Sequence, residues 1–168
     1  IEMPHVLPMN VADLRALVLL LDRVQDPGNL GTILRTAFAA GVSFVGLGKG
    51  TVDPFNPKVV RSAAGALFRL PFQTVDLHHW IEDFRAAGGK VFGTSVHSGE
   101  THYHVRYPEK VAFLLGNEGR GAAEDLLATT DQYVRIPIPG GLESLNVATA
   151  SAILLYEVIR QWDVGMTP

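Results

Sequence analysis

The chain has 168 residues, of which 47% are hydrophobic and 18% charged, a composition typical of one globular domain with a sizeable core. It contains no cysteine, which excludes a disulfide framework, a thiolate zinc site and a cysteine nucleophile. A net charge of −3 lacks the basic excess of a free-standing nucleic-acid binder, so such a role requires a local basic patch, a second subunit or a further domain.

The first stretch, residues 1–15, is proline-rich and mixed in character, and we interpret it as a linker before a domain at 16–168. Because the chain begins with Ile1 rather than Met, we expect it to be cut from a longer protein. No apolar run is long enough to span a membrane, and no signal peptide opens the chain. We therefore expect a cytoplasmic protein with no membrane partner.

Apolar runs and helical spacings alternate along the rest of the chain. Strands are expected at 17–21, 44–47, 72–75, 91–95, 111–115 and 133–136, and helices at 30–40, 57–67, 77–87, 122–128 and 145–162. Strands that alternate with helices predict an α/β fold, with a parallel sheet covered by helices on both faces.

Three loops that follow predicted strands have unusual chemistry, and the first is residues 26–29, Asp-Pro-Gly-Asn. It leads into a helix on which Gly31, Arg35 and Ala39 share one face. The missing side chain of Gly31 is expected to leave room beside Arg35 for a substrate group. Viewed alone, the same pattern also fits a capped helix with a solvated surface arginine.

The second loop, residues 116–121, reads Gly-Asn-Glu-Gly-Arg-Gly and follows a strand directly. Three glycines permit close approach of backbone to a ligand, and parallel sheets bind ligands beyond the carboxyl ends of their strands. A simple glycine-rich turn is the alternative interpretation. A phosphate-binding P-loop is excluded because no Gly-Lys-Ser/Thr follows, and residues 46–50 lack the spacing of a dinucleotide loop.

The third loop, residues 136–141, contains two prolines and two glycines and leads into Ser144, Leu145 and Asn146. Ser144 fits the N-cap of the last helix. The small residues at 148–152 allow that helix to approach other backbone closely. Three histidines, at 97, 102 and 104, lie near Glu100, but their spacing matches no known metal motif, so we predict no metal site.

Three segments in this order resemble the motifs of the SpoU (TrmH) branch of the SPOUT RNA methyltransferases: DRVQDPGNLGTILRTAFAAG, LLGNEGRGA and IPIPGGLESLNVATASAILLYEVIRQ. The intermediate stretch NPKVVRSAAGALFRLPF is also similar to that family. The resemblance covers residues 17–162. It implies a homodimer of α/β domains, each with a C-terminal trefoil knot, that binds S-adenosylmethionine and methylates ribose 2′-hydroxyls of tRNA or rRNA.

Carried over position by position, the resemblance places the cofactor against the backbone around Gly116, Ile136 and Leu145. It adds further cofactor contacts at Thr94, Ser95, Leu115, Asn117, Ile138 and Asn146. The family's catalytic positions match Asn29, Arg35, Glu118, Ser144 and Asn146.

Elementary chemistry refines these roles. An arginine with a pKa above about 12 is a poor base, so we expect Arg35 to bind the adjacent phosphate and stabilise developing alkoxide charge. Glu118 is expected to orient Arg35 or the ribose, while Asn29 and Asn146 supply neutral hydrogen bonds. Ser144 is expected to cap the last helix and to touch the substrate.

Two departures from the family stand out. Members with this form of the first motif often carry an N-terminal RNA-binding domain, which we expect to be missing from this chain. In addition, Ser62 precedes the position at which relatives often place a serine. One rival function is a non-catalytic RNA-binding module of the same fold. Another is a nicotinamide-dependent oxidoreductase, which the absence of a Gly-x-Gly-x-x-Gly turn disfavours.

Overall fold

A computed structural model describes residues 15–164, in which seven strands form one sheet. The strands are β1 (Ala16–Leu21), β2 (Phe44–Leu47), β3 (Phe72–Thr74), β4 (Lys90–Thr94), β5 (Glu100–Thr101), β6 (Lys110–Leu115) and β7 (Gln132–Arg135). The helices are α1 (Pro27–Ala39), α2 (Pro57–Ala63), α3 (Leu77–Ala86), α4 (Glu124–Leu127) and α5 (Val147–Val164). Apart from residue 15, the predicted linker at 1–15 lies outside the described residues.

All strand pairs are parallel, in the order β3-β2-β1-β6-β4-β7-β5, which confirms the predicted sheet. The sequence prediction lacked only β5, because a two-residue strand carries no periodic signal. Strand β6 enters the sheet between β1 and β4, so the second and first loops become spatial neighbours although about ninety residues separate them.

Alternation along β1 divides the core between the two faces of the sheet. Leu17, Leu19 and Leu21 pack with the apolar residues of α1, α2 and α5, whereas Val18 and Leu20 pack with those of α3 and α4. Every residue of β1 is buried, as expected for a central strand of a parallel sheet covered on both faces. The prediction of helices on both faces is therefore confirmed.

The ends of α1 follow local sequence signals. The side chain of Asp26 accepts a hydrogen bond from the backbone of Asn29, Pro27 starts the helix, and Gly41 has a φ of 72° just beyond the end. Helix α2 is shorter than predicted, because Ala64 at φ 50° and Gly65 at φ 85° stop it. The predicted helix at 57–67 is thus wrong beyond Ala63, and residues 66–68 form a separate 3₁₀ turn.

Helices α1 and α2 meet at Gly31, where the sequence analysis expected a space for substrate. A Cβ built on Gly31 would lie 1.8 Å from the Ser62 hydroxyl and 2.8 Å from the Val59 carbonyl oxygen. That expectation is wrong, since the space is filled by α2 rather than open to a ligand. The missing side chain serves helix packing, and the Ser62 hydroxyl packed against Gly31 donates a hydrogen bond to the Lys58 carbonyl at 2.7 Å.

Candidate functional site

A cavity of about 460 Å³ lies beyond the carboxyl ends of three neighbouring strands, β6, β4 and β7. Its floor and walls come from the loops that follow these strands and from the first turns of α5. The lining includes Thr94, Ser95, His97, Leu115, Gly116, Asn117, Glu118, Arg120, Leu127, Val134, Ile136, Ile138, Ser144, Leu145, Val147, Ala150 and Leu154. The size falls in the range typical of small-molecule sites, and its position is the one that parallel sheets favour for ligands.

The loop after β6 is folded tightly back on itself. The Asn117 and Gly121 backbones exchange two hydrogen bonds, at 3.0 and 2.8 Å, and Gly121 has a φ of 71°. A Cβ on Gly116 would lie 1.8 Å from the backbone nitrogen of Ala122, so only glycine permits this closure. The loop is therefore a rigid wall of the cavity with backbone exposed to a ligand.

Eight of the nine residues expected to bind cofactor line this one cavity, drawn from four separate segments of the chain. They are Thr94, Ser95, Leu115, Gly116, Asn117, Ile136, Ile138 and Leu145. The ninth, Asn146, is directed elsewhere, although its neighbours Leu145 and Val147 both line the cavity.

Asn146, rather than Ser144, caps α5. Its Oδ1 accepts hydrogen bonds from the backbone of Ala148 at 2.9 Å and of Thr149 at 3.2 Å. Helix α5 consequently begins at Val147, and the prediction that Ser144 caps it is wrong. Ser144 is exposed and lines the cavity.

The cap fixes the orientation of a short chain of polar side chains. Because backbone N–H groups occupy Oδ1 of Asn146, its Nδ2 is left to donate to Oδ1 of Asn29, at 2.9 Å. Asn29 in turn directs its Nδ2 toward Oε1 of Glu118, at 3.4 Å. Three of the five residues expected to be catalytic are thus brought together beside the cavity, from three distant parts of the chain.

The carboxylate of Glu118 also accepts hydrogen bonds from the backbone of Asp26 at 2.9 Å and of Gln25 at 3.2 Å. Partial burial raises the pKa of Glu118, but these hydrogen bonds and that of Asn29 outweigh it, so the pKa lies below its ordinary value of 4.5. Glu118 is therefore an ionised acceptor near neutral pH, and its role here is to join the first and second loops.

Arg35 lies about one and a half turns further along α1 and is exposed. Within residues 15–164 its guanidinium forms no ion pair or hydrogen bond, and it is separate from Glu118. The structure therefore does not show Glu118 orienting Arg35, because the carboxylate is already engaged by the backbone of the first loop. All five guanidinium N–H groups of Arg35 remain open to an external anion.

One polar residue of this region had not been singled out from the sequence. Asp22, only 4% exposed, accepts a hydrogen bond from the backbone of Ala123 at 2.8 Å and from Nη2 of Arg23 at 3.1 Å. Arg23 has a φ of 57°, and its carbonyl oxygen accepts from Nδ2 of Asn117 at 3.0 Å. Together these bonds hold both ends of the second loop. The available signal was an acidic residue directly after a fully apolar strand.

The histidine-rich stretch forms no evident metal centre. No group of three or more acidic or histidine side chains within the described part of the chain is close enough to hold an ion. His102 is buried, His104 lies 3.6 Å from Glu100, and His97 is on the cavity wall. Over the same residues, none of the helices is both long and apolar enough to cross a bilayer.

Comparison with known proteins identifies the same family as the sequence motifs. The family model described as "SpoU rRNA Methylase family" matches residues 16–156. The chain is 47% identical over 141 residues to the 23S rRNA (guanosine(2553)-2′-O)-methyltransferase RlmP of Bacillus subtilis, a match that covers 84% of this chain and 57% of that protein.

Solved structures agree with this match. A putative RNA methyltransferase of the TrmH family from Porphyromonas gingivalis superimposes with a TM-score of 0.82 at 42% identity, covering 88% of this chain and 61% of that one. The SpoU methyltransferase AviRb from Streptomyces viridochromogenes, in complex with the cofactor AdoMet, gives a TM-score of 0.82 at 36% identity, with 89% and 62% covered. The chain spans between 55% and 63% of the length of three curated relatives that it matches.

Proposed function

Because the chain belongs to the SpoU rRNA methylase family, we propose that it is the catalytic part of an S-adenosylmethionine-dependent RNA methyltransferase. The reaction transfers a methyl group to a ribose 2′-hydroxyl of rRNA or tRNA. The observation that carries the proposal is the convergence of two residue sets from distant loops. One set lines a ligand-sized cavity, and the other forms the hydrogen-bonded chain Asn146–Asn29–Glu118 at its edge.

The residues of the cavity fit S-adenosylmethionine. Apolar side chains of Leu115, Val134 and Leu154 suit the adenine ring, and the exposed backbone of the tight loop at 116–121 offers hydrogen bonds for its polar edge. Two relatives of known structure are described as AdoMet-bound, which supports the same cofactor here. When bound, this cofactor supplies an electrophilic methyl group on a sulfonium.

The chain's own residues must then align the ribose oxygen with the methyl group and help the hydroxyl lose its proton. Arg35, with its donors free, binds the phosphate beside the target ribose and stabilises negative charge that develops on the oxygen. Asn29 and Asn146, fixed in orientation by the helix cap and by Glu118, provide neutral hydrogen bonds to the ribose. Ser144 offers its hydroxyl from the cavity wall.

Several further features are part of this proposal. Segment 136–145 and the loop at 116–122 line the same cavity, which supports a trefoil knot in which one passes through the other. The exposed face of α5 around Thr149 and Tyr156 supports a homodimer. The chain's partial coverage of its relatives supports an additional RNA-binding domain in the complete protein. A cytoplasmic location follows if the substrate is bacterial ribosomal RNA.

The alternative is an RNA-binding module that retains the fold without activity. The intact chain of Asn29, Asn146 and Glu118 favours the enzyme, because a binding surface alone has no need for three side chains of fixed orientation beside a cavity.

Methylation of unmodified 23S rRNA and tRNA transcripts with radiolabelled S-adenosylmethionine tests the proposal, followed by mapping of the modified ribose. Arg35→Ala should abolish methyl transfer and leave cofactor affinity, measured by calorimetry, unchanged. Arg106→Ala, which removes an exposed arginine that does not line the cavity, is the matched control and should retain activity. A loss of cofactor affinity in Arg35→Ala as large as the loss of rate contradicts the role given to Arg35.

A further inference from the structure

Charge is distributed very unevenly along this acidic chain. Residues 27–75 contain five basic residues and one acidic residue, a net charge of +4, whereas the rest of the chain holds nine basic and sixteen acidic residues. The basic part comprises α1, β2, α2, the 3₁₀ turn and β3, which together form one end of the sheet and its helical cover. The local basic patch that an acidic RNA-binding protein requires is therefore present on one side of the fold.

Three exposed cations lie in this part of the fold. Lys58, Arg61 and Arg69 are exposed, and none of them forms an ion pair with a carboxylate of the described residues. By contrast, Arg85 is paired with Asp131 at 3.0 Å and Arg160 with Glu157 at 2.7 Å. The unpaired cations keep their full charge available for an external polyanion.

Exposed aromatic rings accompany these cations. Phe55, at the start of α2, is 64% exposed, and Phe68, in the 3₁₀ turn, is 78% exposed. A third ring, Phe38 at the end of α1, lies 4.8 Å beneath the guanidinium of Arg69. Large apolar rings are costly to expose to water, whereas unpaired bases of RNA stack on such rings.

This surface is continuous with the candidate site. The Nζ of Lys58 lies 3.9 Å from the position that a Cβ on Gly28 would take, directly beside the first turn of α1 and next to Asn29. At the other end of α1, about 20 Å away for thirteen residues, Phe38 contacts Arg69. A strand of RNA with its target ribose at Asn29 would therefore follow α1 past Lys58 toward Phe68.

We propose that Lys58, Arg61, Arg69, Phe55 and Phe68 form a docking surface for single-stranded RNA adjacent to the methylated ribose. The proposal rests on the function proposed above and assigns the RNA path to the α1–α2 side. A second copy of the chain is a poorer occupant, because a twofold interface places the same face against itself and would oppose unpaired cations. The cations contact phosphates and the two rings stack on bases, so binding depends on salt but little on sequence.

The test compares two triple variants of the full chain that change net charge equally. Lys58→Gln, Arg61→Gln and Arg69→Gln remove the docking cations, whereas Arg85→Gln, Arg106→Gln and Arg160→Gln remove three exposed cations elsewhere. Affinity for a fluorescein-labelled single-stranded RNA oligonucleotide is measured by fluorescence anisotropy over a range of salt concentrations. The docking variant should reduce the slope of log affinity against log salt by about 2, since each phosphate that is no longer neutralised lowers it by about 0.7. The control should retain the slope.

The aromatic contribution is tested separately. Phe68→Ala should weaken RNA binding by roughly tenfold at constant salt slope, since base stacking carries no charge. Cofactor affinity should be unchanged in all these variants, and this measurement also shows that each variant is folded. Should the triple docking variant prove unstable, Lys58→Gln alone should show one third of the change in slope.

Either of two results would contradict the docking surface. The docking variant could retain the RNA affinity and the salt dependence of the wild-type chain, or the control variant could lose as much RNA affinity as the docking variant. A docking variant that keeps its RNA affinity but sediments as a smaller species would assign the face to a second copy, and would overturn the proposal equally. Failure of the proposed function is distinguishable, because the wild-type chain would then bind RNA but transfer no methyl group.

Discussion

Asp22→Asn should loosen the second loop while leaving the rest of the fold intact. The Asp22 carboxylate accepts hydrogen bonds from the Ala123 backbone and from the side chain of Arg23. Both of these donors reach Oδ2, while Oδ1 accepts from Nε of Arg23 at 3.2 Å. Asparagine keeps one oxygen and replaces the other with an NH₂ donor, so the Nε bond is lost and the remaining bonds no longer end on a charged group. A hydrogen bond to a charged group contributes about 1.5–3 kcal/mol, and because Arg23 is partly exposed we expect a loss near the lower end, about 2 kcal/mol.

For a domain of this size the loss corresponds to a decrease in Tm of about 4–8 °C. Ala123 follows the loop that forms one wall of the cavity, so the substitution should also weaken S-adenosylmethionine binding. If about 1.4 kcal/mol of the lost stability falls on this loop, cofactor affinity should decrease by about tenfold. Differential scanning calorimetry gives the first quantity and titration calorimetry the second.

The chain contains a matched control in Asp131. This carboxylate accepts hydrogen bonds from the Val91 backbone at 2.8 Å and from Nε of Arg85 at 3.0 Å. As at Asp22, the donors are one backbone N–H and one arginine, but the backbone donor lies at the start of β4 rather than at the cavity. Asp131→Asn should lower Tm and leave cofactor affinity unchanged. Wild-type cofactor affinity in Asp22→Asn, or equal weakening in Asp131→Asn, would refute the assignment of Asp22 to the loop.

Three further predictions follow from particular contacts. Gly116→Ala should abolish cofactor binding in titration calorimetry, because its Cβ would meet the Ala122 backbone at 1.8 Å and force the loop open; retained binding would contradict the close approach. Gly31→Ala should destabilise the fold by about 1–3 kcal/mol in urea unfolding. Adding Ser62→Gly should recover only part of this, since the Val59 carbonyl remains 2.8 Å away, so full recovery would contradict the packing described. Glu118→Gln should flatten the dependence of Tm on pH below the ordinary pKa of 4.5. The folded-state pKa of Glu118 is depressed, so its contribution is present above that value and is lost as pH falls through the folded-state pKa. An unchanged pH profile would show that the carboxylate contributes nothing there.

Prediction of the elements succeeded where the signal was local. Gly41 marked the end of α1 correctly, because its positive φ acts on the backbone within a few residues of itself. The start was placed three residues late, at residue 30, although Asp26 caps the helix and Pro27 begins it. Helix α2 was extended too far, since the apolar spacing of Leu67 continued the pattern although Ala64 and Gly65 adopt positive φ. Ser144 was predicted to cap α5, but Asn146 caps it. Both residue types suit an N-cap, and only the backbone geometry distinguishes the two positions.

The candidate site was predictable as a set of residues but not as an arrangement. The three motifs indicated which side chains to consider, and eight of the nine expected cofactor residues line one cavity. The partners of these side chains could not be predicted. Glu118 was expected to orient Arg35 or the ribose; it accepts hydrogen bonds from the backbone of Gln25 and Asp26, and no contact with Arg35 is seen in the described residues. Gly31 was expected to leave room for substrate and instead admits α2.

The sequence by itself determined the parallel α/β architecture and the family, because periodicity, caps and motifs are properties of neighbouring residues. Only the tertiary structure decided that β6 lies beside β1, and this neighbourhood joins Glu118 to the first loop across about ninety residues. It also decided that Asn146 meets Asn29 and that the basic residues of α2 extend from the site. Such contacts depend on the order of strands in the sheet, which no local pattern along the chain encodes.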